Sequence, residues 1–566
     1  MAQTLEAPQS EDTDLQSFGY KQELRRTLSF FSNFGVAFCY LSPVVGIYSL
    51  FAFGVGTGGP AYIWTIPFVV AGQLLVSLVF AELGSSYPLA GALFQWAKQL
   101  LGRRYGWWVG WFYAWALIIT VASVDTGITG YVLPLLNSWF KTNFDVLAPN
   151  DILVCTLVLL AIQTMFNVVG VRLTGFIARW GVWVEILGTF GVAIVLGVEG
   201  FHHGLGWLVS SAGATHVKTN PFGANFGGSW FPGAALIAVL ANVYIFYGFE
   251  SAGDIAEEVV DARRRVPRAM VLTMIVGGIT SFILVGAFAL AIPGHSLGNI
   301  ATGGLAGILQ ANIHTGAIYD AILIIACLAF FSCGSAVQAA GARVLFSYAR
   351  DNQLPGSRAL RTISPRLRTP VVALLVVAIL PALFALLAHV TFSHPVHFLW
   401  ITLPASVNAL ALLVSFATSG IYLSFQMVVL AAIIARARGW RPRGFDLGRW
   451  AWPVYILAFA YGVGMLVNII FPSPLSSPRA ALFNFGWTTL LVMFVIAVLG
   501  ALWYFIGRPY RRQASGVEEG GGRLATASGS DTGSGSGAGS GSGPGAGSAS
   551  GAGSGPDSRP IPAGNG

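Results

Sequence analysis

The chain has 566 residues, of which 55% are hydrophobic and 10% charged, with a mean hydropathy of +0.69 and a formal net charge of +8. A soluble domain carries about 25% charged residues, so this balance excludes that class and assigns the apolar mass to lipid. The basic excess does not call for nucleic acid, because it gathers in short loops beside apolar runs.

Residues 1–26 are polar and mixed in charge and read as a cytoplasmic tail. They carry no cleavable signal pattern, so the first apolar run is expected to act as its own uncleaved insertion signal. About 20 apolar residues cross about 30 Å of hydrocarbon, and twelve such runs follow. The first six are Ser32 to Thr57, Tyr62 to Ser86, Trp107 to Leu136, Asp151 to Gly170, Gly175 to Glu199 and Pro232 to Ala256. The second six are Arg268 to Ile292, Ala317 to Tyr348, Pro370 to Val390, Ala405 to Ala435, Trp452 to Phe471 and Asn484 to Ile506. From about Arg512 a Gly/Ser/Ala segment follows that cannot bury a core.

Lys and Arg accumulate on the cytoplasmic side of a membrane. With both termini inside, Lys98, Arg103 and Arg104, the run Arg263 to Arg265 with Arg268, Arg358 to Arg368, and Arg436 to Arg449 all fall on that side. The predicted outer loops hold Lys141, Lys218 and Arg479. Cys39, Cys155, Cys327 and Cys333 lie within predicted spans without CxxC spacing and read as packing residues. The histidines, among them His202, His203, His295, His394 and His397, fall in or near outer loops with no metal-ligand grouping.

Spans 1 and 6 are both interrupted by glycine, around Ser42-Pro43-Val44-Val45-Gly46 and around Tyr247-Gly248-Phe249-Glu250, and they lie five spans apart. Corresponding broken helices in two halves point to an inverted-repeat transporter with its site near the bilayer midplane. The expected fold is therefore an all-α polytopic membrane protein with 12 transmembrane helices and a 5+5 inverted-repeat core. The first repeat covers 27–200 and the second 201–436, with peripheral helices 11 and 12 in 437–511 and the low-complexity tail in 512–566.

Four segments carry a family resemblance: span 1 running into GTGGP (56–60), AELGSSYPLAGALFQW (81–96), YGFESAGDIAEEVVDARRRVPRAM (247–270) and RVLFSYARDNQLP (343–355). In this order and spacing the sequence resembles the amino acid, polyamine and organocation transporter superfamily, nearest the bacterial and fungal permeases for amino acids, 4-aminobutyrate and choline. The resemblance implies a substrate held between the unwound centres of spans 1 and 6. Half-helix ends there expose N–H and C=O groups able to hold a carboxylate and an ammonium. One departure concerns the span 1 break. Relatives specific for α-amino acids carry a small, glycine-rich sequence where this chain reads Val44-Val45-Gly46-Ile47, and branched valines crowd a carboxylate cradle. That favours a different spacing of charges, as in 4-aminobutyrate, or a cation lacking a carboxylate.

Glu250 at midspan depth either holds a substrate ammonium or a proton, or is satisfied by the backbone of the broken helix. Asp254, Glu257 and Glu258 are expected to pair with nearby arginines as a gate or anchor. Asp125 in span 3 and Glu185 in span 5 are candidates for a proton path, with hydrogen bonding to a neighbouring helix as the alternative. A sodium site would instead use span 1 carbonyls with Ser332 and Ser335, three apart on span 8. Tyr244, Tyr247 and Phe249 either close over a substrate or pack against helices. Arg343 is expected to reach the cytoplasmic face rather than a substrate.

No GxSxG, HExxH, Walker-type loop or paired catalytic carboxylates occur in a soluble segment. The reading is a non-enzymatic secondary transporter for an amino acid or related amine, without cofactor, in the cell membrane. Its partners are a small-molecule substrate, the lipid bilayer and H+ or Na+ as coupling ion. Its rivals are a choline or polyamine carrier on the same fold and a membrane sensor or channel. A major-facilitator carrier is disfavoured, because YPLAG stands where that superfamily's loop motif places an acid upstream of LGRRYG.

Overall fold

A computed structural model describes residues 15–146, 148–214, 230–294, 298–313, 316–389, 396–398, 401–403, 409–470 and 485–511. The first helix, α1 (Phe30–Leu41), starts where the Ser29 hydroxyl accepts the Ser32 N–H at 3.2 Å. It ends at Ser42, which takes a left-handed backbone at φ 39 and donates its N–H to the Phe38 carbonyl at 2.8 Å. Pro43, with no N–H to lose, then opens α2 (Pro43–Gly58).

The helices that follow are α3 (Thr65–Ser86), α4 (Ala92–Leu101), α5 (Arg103–Gly127), α6 (Thr129–Phe140), α7 (Pro149–Val169), α8 (Val171–Glu199) and α9 (Ala235–Ile245). After a second interruption come α10 (Ala262–Leu290), α11 (Gly298–Ile313), α12 (Ala317–Arg350) and α13 (Val371–His389). The last are α14 (Ala409–Ala437), α15 (Ala451–Ile470) and α16 (Phe485–Gly507). Between α13 and α14, β1 (Val396–Phe398) pairs antiparallel with β2 (Ile401–Leu403).

Among the described residues, nine helical stretches are long and apolar enough to cross a membrane, counting α1 with α2 and α5 with α6 as one stretch each. Shorter apolar helices, α9, α13 and α16, stand where the sequence places spans 6, 9 and 12. The chain is thus a polytopic helical membrane protein. Large apolar side chains point outward along successive turns, as with Phe176, Trp180, Trp183, Leu187, Phe190 and Ile194 on α8. Such a surface suits hydrocarbon and would not suit water.

The helices pack in a recurring pattern. The α2 helix lies on α9, α3 on α10, α5 on α12 and α7 on α13. The α5 helix also packs on α14, and α12 on α8. Buried polar groups tie the outer helices to this body. Glu82 of α3 accepts from Arg436 of α14 at 2.9 Å, from the Tyr455 hydroxyl of α15 at 2.5 Å and from the Leu447 N–H at 2.6 Å.

The second half of the segment that the sequence sets outside the fold is packed. Leu15, Tyr20 and Leu24 are buried, and immediately after the segment the Thr27 and Leu28 N–H groups donate to the Glu258 carbonyl at 2.9 and 2.8 Å. Residues 1–14 and the low-complexity tail lie outside the described residues.

Candidate functional site

An apolar helix in lipid has no water to satisfy a broken ladder, so each interruption must find protein partners. In span 6 the helix stops at Ile245, and Gly248 turns the backbone to φ 106, a conformation that favours glycine. The Gly248 N–H donates to Glu250 Oε2 at 2.8 Å, and the Ser251 hydroxyl returns to the Gly248 carbonyl at 2.7 Å. A single turn, Ser251–Asp254, resumes the span.

The two interruptions meet. A Cβ added at Gly248 would lie 2.8 Å from the Leu41 amide nitrogen and 2.9 Å from the Tyr40 ring, so only a bare backbone fits there. Gly46 packs in the same way against Ile245. The Tyr247 ring stands edge-on to Tyr40 at 6.0 Å and to Tyr244 at 5.7 Å. From α5 the Tyr113 hydroxyl donates to Asp254 Oδ2 at 2.6 Å and lies 3.4 Å from Glu250 Oε1. Glu250, Asp254 and the four tyrosines are all buried. The hydroxyls of Tyr40 and Tyr247 and the second oxygen of Asp254 bond to no protein group.

Not every candidate residue faces this cluster. Phe249 turns the other way and packs on Phe80 and Phe425, with ring centres 5.9 and 5.5 Å away. Val44, Val45 and Ile47 are buried beside the break. The backbone donors of Val44 and Val45 are already engaged: Val44 N–H donates to Glu185 Oε2 at 3.1 Å and Val45 N–H to the Ser42 hydroxyl at 3.1 Å. The Ser42 hydroxyl in turn donates to Glu185 Oε1. Glu185 of α8 is therefore the cap of α2, reached across 141 residues of sequence.

Asp125 lies elsewhere, between α5, α7 and α12. The space a Cβ would take at Gly334 is 2.8 Å from Asp125 Oδ1 and 2.6 Å from Gln163 Nε2. Neither oxygen of Asp125 nor either polar atom of Gln163 completes a hydrogen bond. One turn further along, Asn167, Gln338 and Thr164 do close a network, with donor distances of 2.8 and 2.7 Å. Ser332 donates to the Ala329 carbonyl of its own helix at 3.0 Å, and the Ser335 hydroxyl has no protein partner. Asp125 thus stands against Gly334 of α12, and Glu185 against the start of α2.

The acids that follow the span 6 break close one end of the site. Glu258 pairs with Arg343 at 2.8 Å and Glu257 with Arg350 at 2.7 Å, all buried. Asp254 does not join them as the sequence reading expects; it stays with Tyr113, because the resumed turn points it inward. Tyr20 covers the pairs, donating to Asp351 at 2.8 Å with the Arg350 guanidinium 4.0 Å over its ring. Lys98 completes the group with Asp351 at 2.5 Å. Burial pulls the Lys98 ammonium below its ordinary range, opposed by the Asp351 charge. His202 bonds Asn312 at 3.0 Å and His203 stacks on Trp207, and no metal-ligand group occurs among the described residues.

Sequence reasoning missed Tyr40 and Tyr113, and the partners of Ser42 and Glu82. A tyrosine or serine in an apolar run reads as packing. Only its buried partner gives it a role.

Comparison with known proteins places this architecture. Residues 28–502 match the model of the amino acid permease family. The chain is 26% identical over 522 residues to the amino-acid permease BAT1 of Arabidopsis thaliana, covering 87% of this chain and 94% of that protein. It is 25% identical over 516 residues to a putative polyamine transporter of Candida albicans, covering 88% and 87%. An amino-acid permease BAT1 homolog of Oryza sativa is 24% identical over 494 residues, covering 82% of this chain and 88% of that protein. Helices built for lipid, two interruptions that meet at buried acids and a family match over most of the length agree, and the chain belongs to the amino acid permease family of membrane transporters.

Proposed function

We propose that this chain is a secondary transporter that carries an amino acid or related amine across the cell membrane by alternating access, and that it is not an enzyme. The observation that carries this reading is the meeting of the span 1 and span 6 breaks, where Gly248 lies against Tyr40 and Leu41 and the acids Glu250 and Asp254 are held among tyrosines. The substrate would sit between the breaks, in reach of Val44, Val45, Gly46, Ile47, Tyr247, Gly248 and Glu250, with Phe249 supporting the break from behind against Phe80 and Phe425. The second oxygen of Asp254 and the hydroxyls of Tyr40 and Tyr247 are available to it. The names of the relatives support the substrate class, since they include amino-acid permeases and a putative polyamine transporter.

Twelve crossings in two inverted repeats, with both termini in the cytoplasm, complete the reading. An inverted repeat relates span n to span n+5, so helices near the pseudo-axis should pack on their own mates. The packing of α2 on α9, α3 on α10, α5 on α12 and α7 on α13 supports this. So does the matched pair α5 on α14 and α12 on α8. Coupling would use H+ or Na+, with Asp125, Glu185, Ser332 and Ser335 as the candidate groups.

Purified protein in liposomes tests the reading. Saturable uptake of a labelled amino acid or amine is expected, dependent on an imposed gradient or on internal counter-substrate, and lost in Glu250→Gln. Non-saturable flux would point to a channel, and undiminished uptake by Glu250→Gln would take Glu250 out of the mechanism.

A further inference from the structure

The first turn of a helix leaves backbone N–H groups without internal partners, and in a broken span those groups are the natural cradle for a solute carboxylate. In α2 none of them is free. Pro43 has no N–H. Val44 N–H donates to Glu185 Oε2 at 3.1 Å, Val45 N–H to the Ser42 hydroxyl at 3.1 Å, and Gly46 N–H to the Ser42 carbonyl at 3.1 Å. Glu185 accepts through both oxygens, taking the Ser42 hydroxyl on the other. The protein's own carboxylate thus occupies the position a carboxylated solute would need.

The charges around the breaks lean the same way. Glu185, Glu250 and Asp254 are buried there. The arginines that follow on α12, Arg343 and Arg350, are consumed by Glu258 and Glu257. Among the described residues no lysine or arginine bonds to Glu185, Glu250 or Asp254. The remaining surfaces are ring faces and hydroxyls of Tyr40, Tyr113, Tyr244 and Tyr247, which favour a cation through their negative faces.

We propose that the solute of this transporter is an organic cation without a carboxylate of its own, with Glu185 standing permanently where a zwitterion would place its anionic end. This rests on the spans 1 and 6 site and narrows its substrate class. The ammonium lies among Glu250, Asp254 and the tyrosine rings. Glu185 acts as a specificity-determining residue by keeping the α2 donors closed and the site acidic.

Three probes of matched length test it: butylamine, putrescine and 4-aminobutyrate, which differ only in the group at one end. With the full chain in detergent, thermal shift and equilibrium competition are expected to show butylamine and putrescine binding roughly 10- to 100-fold more tightly than 4-aminobutyrate, the loss that follows from an unmet charged hydrogen bond. Glu185→Ala frees the Val44 N–H and the Ser42 hydroxyl and is expected to raise 4-aminobutyrate affinity while lowering that of putrescine. Should that variant fail to fold, Glu185→Gln keeps a capping oxygen without the charge and is expected to narrow the difference between the probes. Binding of 4-aminobutyrate as tight as putrescine in the unaltered chain, or binding of no amine at all, overturns the proposal. Amines that bind in this order yet are never taken up by liposomes would instead overturn the transport reading and leave the selectivity of the site standing.

Discussion

Arg343 and Glu258 form an ion pair sealed inside the protein, with Nε donating to Oε1 at 2.8 Å and each side chain 1% exposed. Arg343 comes from α12 and Glu258 from the turn after the span 6 break, so the pair fastens the broken span to its neighbour. Removing one partner of such a pair costs about 3–5 kcal/mol, because the other charge is left buried and alone. Arg343→Met is therefore expected to lower the unfolding temperature in detergent sharply. The double change Arg343→Met with Glu258→Leu is expected to recover most of that loss. Equal stability of the single variant and the parent would show that the charge is not buried.

Gly248 separates two kinds of glycine substitution. Its Cβ position is filled by the Leu41 nitrogen at 2.8 Å and the Tyr40 ring at 2.9 Å, and its φ is 106. Strain of this kind costs about 1–3 kcal/mol. Gly248→Ala is expected to lose uptake and stability together. Gly191 in α8 has, among the described residues, no atom beyond its own helix within 4 Å of its Cβ position, so Gly191→Ala is expected to leave uptake intact and raise stability by about 0.5–1 kcal/mol. Uptake assays with unfolding curves on both variants check the contrast.

Tyr113 is the only donor to the Asp254 carboxylate among the described residues, at 2.6 Å. A hydrogen bond to a charged group contributes about 1.5–3 kcal/mol. Tyr113→Phe keeps the ring and is expected to weaken amine binding about 10-fold or more with little change in expression. Unchanged affinity with lowered stability would make Tyr113 a packing residue only.

The packed segment 15–28 should be slow to exchange its amide hydrogens. Thr27 and Leu28 N–H groups are bonded to the Glu258 carbonyl at 2.9 and 2.8 Å, and Tyr20 is held by Asp351 and Arg350. Tyr20→Ala is expected to speed exchange across this segment while leaving α3 and α10 protected. Rapid exchange there in the parent would show the segment to be undocked.

The interruptions were legible because their causes are local. Ser42-Pro43 and Gly248 are breaks written into short apolar runs, and the helices stop where those residues stand. The acids inside the membrane were legible for the same reason, since each stands out in its own run. Their partners were not. Glu185 finds Ser42 across 143 residues, and Glu82 finds Arg436 across 354. Periodicity within one helix carries no information on such pairings. Leu15, Tyr20 and Leu24 were lost among charges, because three apolar side chains at irregular spacing form no helical stripe and are buried only by a surface that other segments supply.

Ser42 joins α1 to α2 by its own torsions, with no rung of the backbone ladder crossing from one to the other, since the Val44 and Val45 amides turn to Glu185 and to the Ser42 side chain. A swing of α1 about that residue breaks no backbone bond of α2. The α2 half can remain clamped while the α1 half tilts like a lever on a fulcrum, so a motion of one half of the span need not disturb the grip of the other.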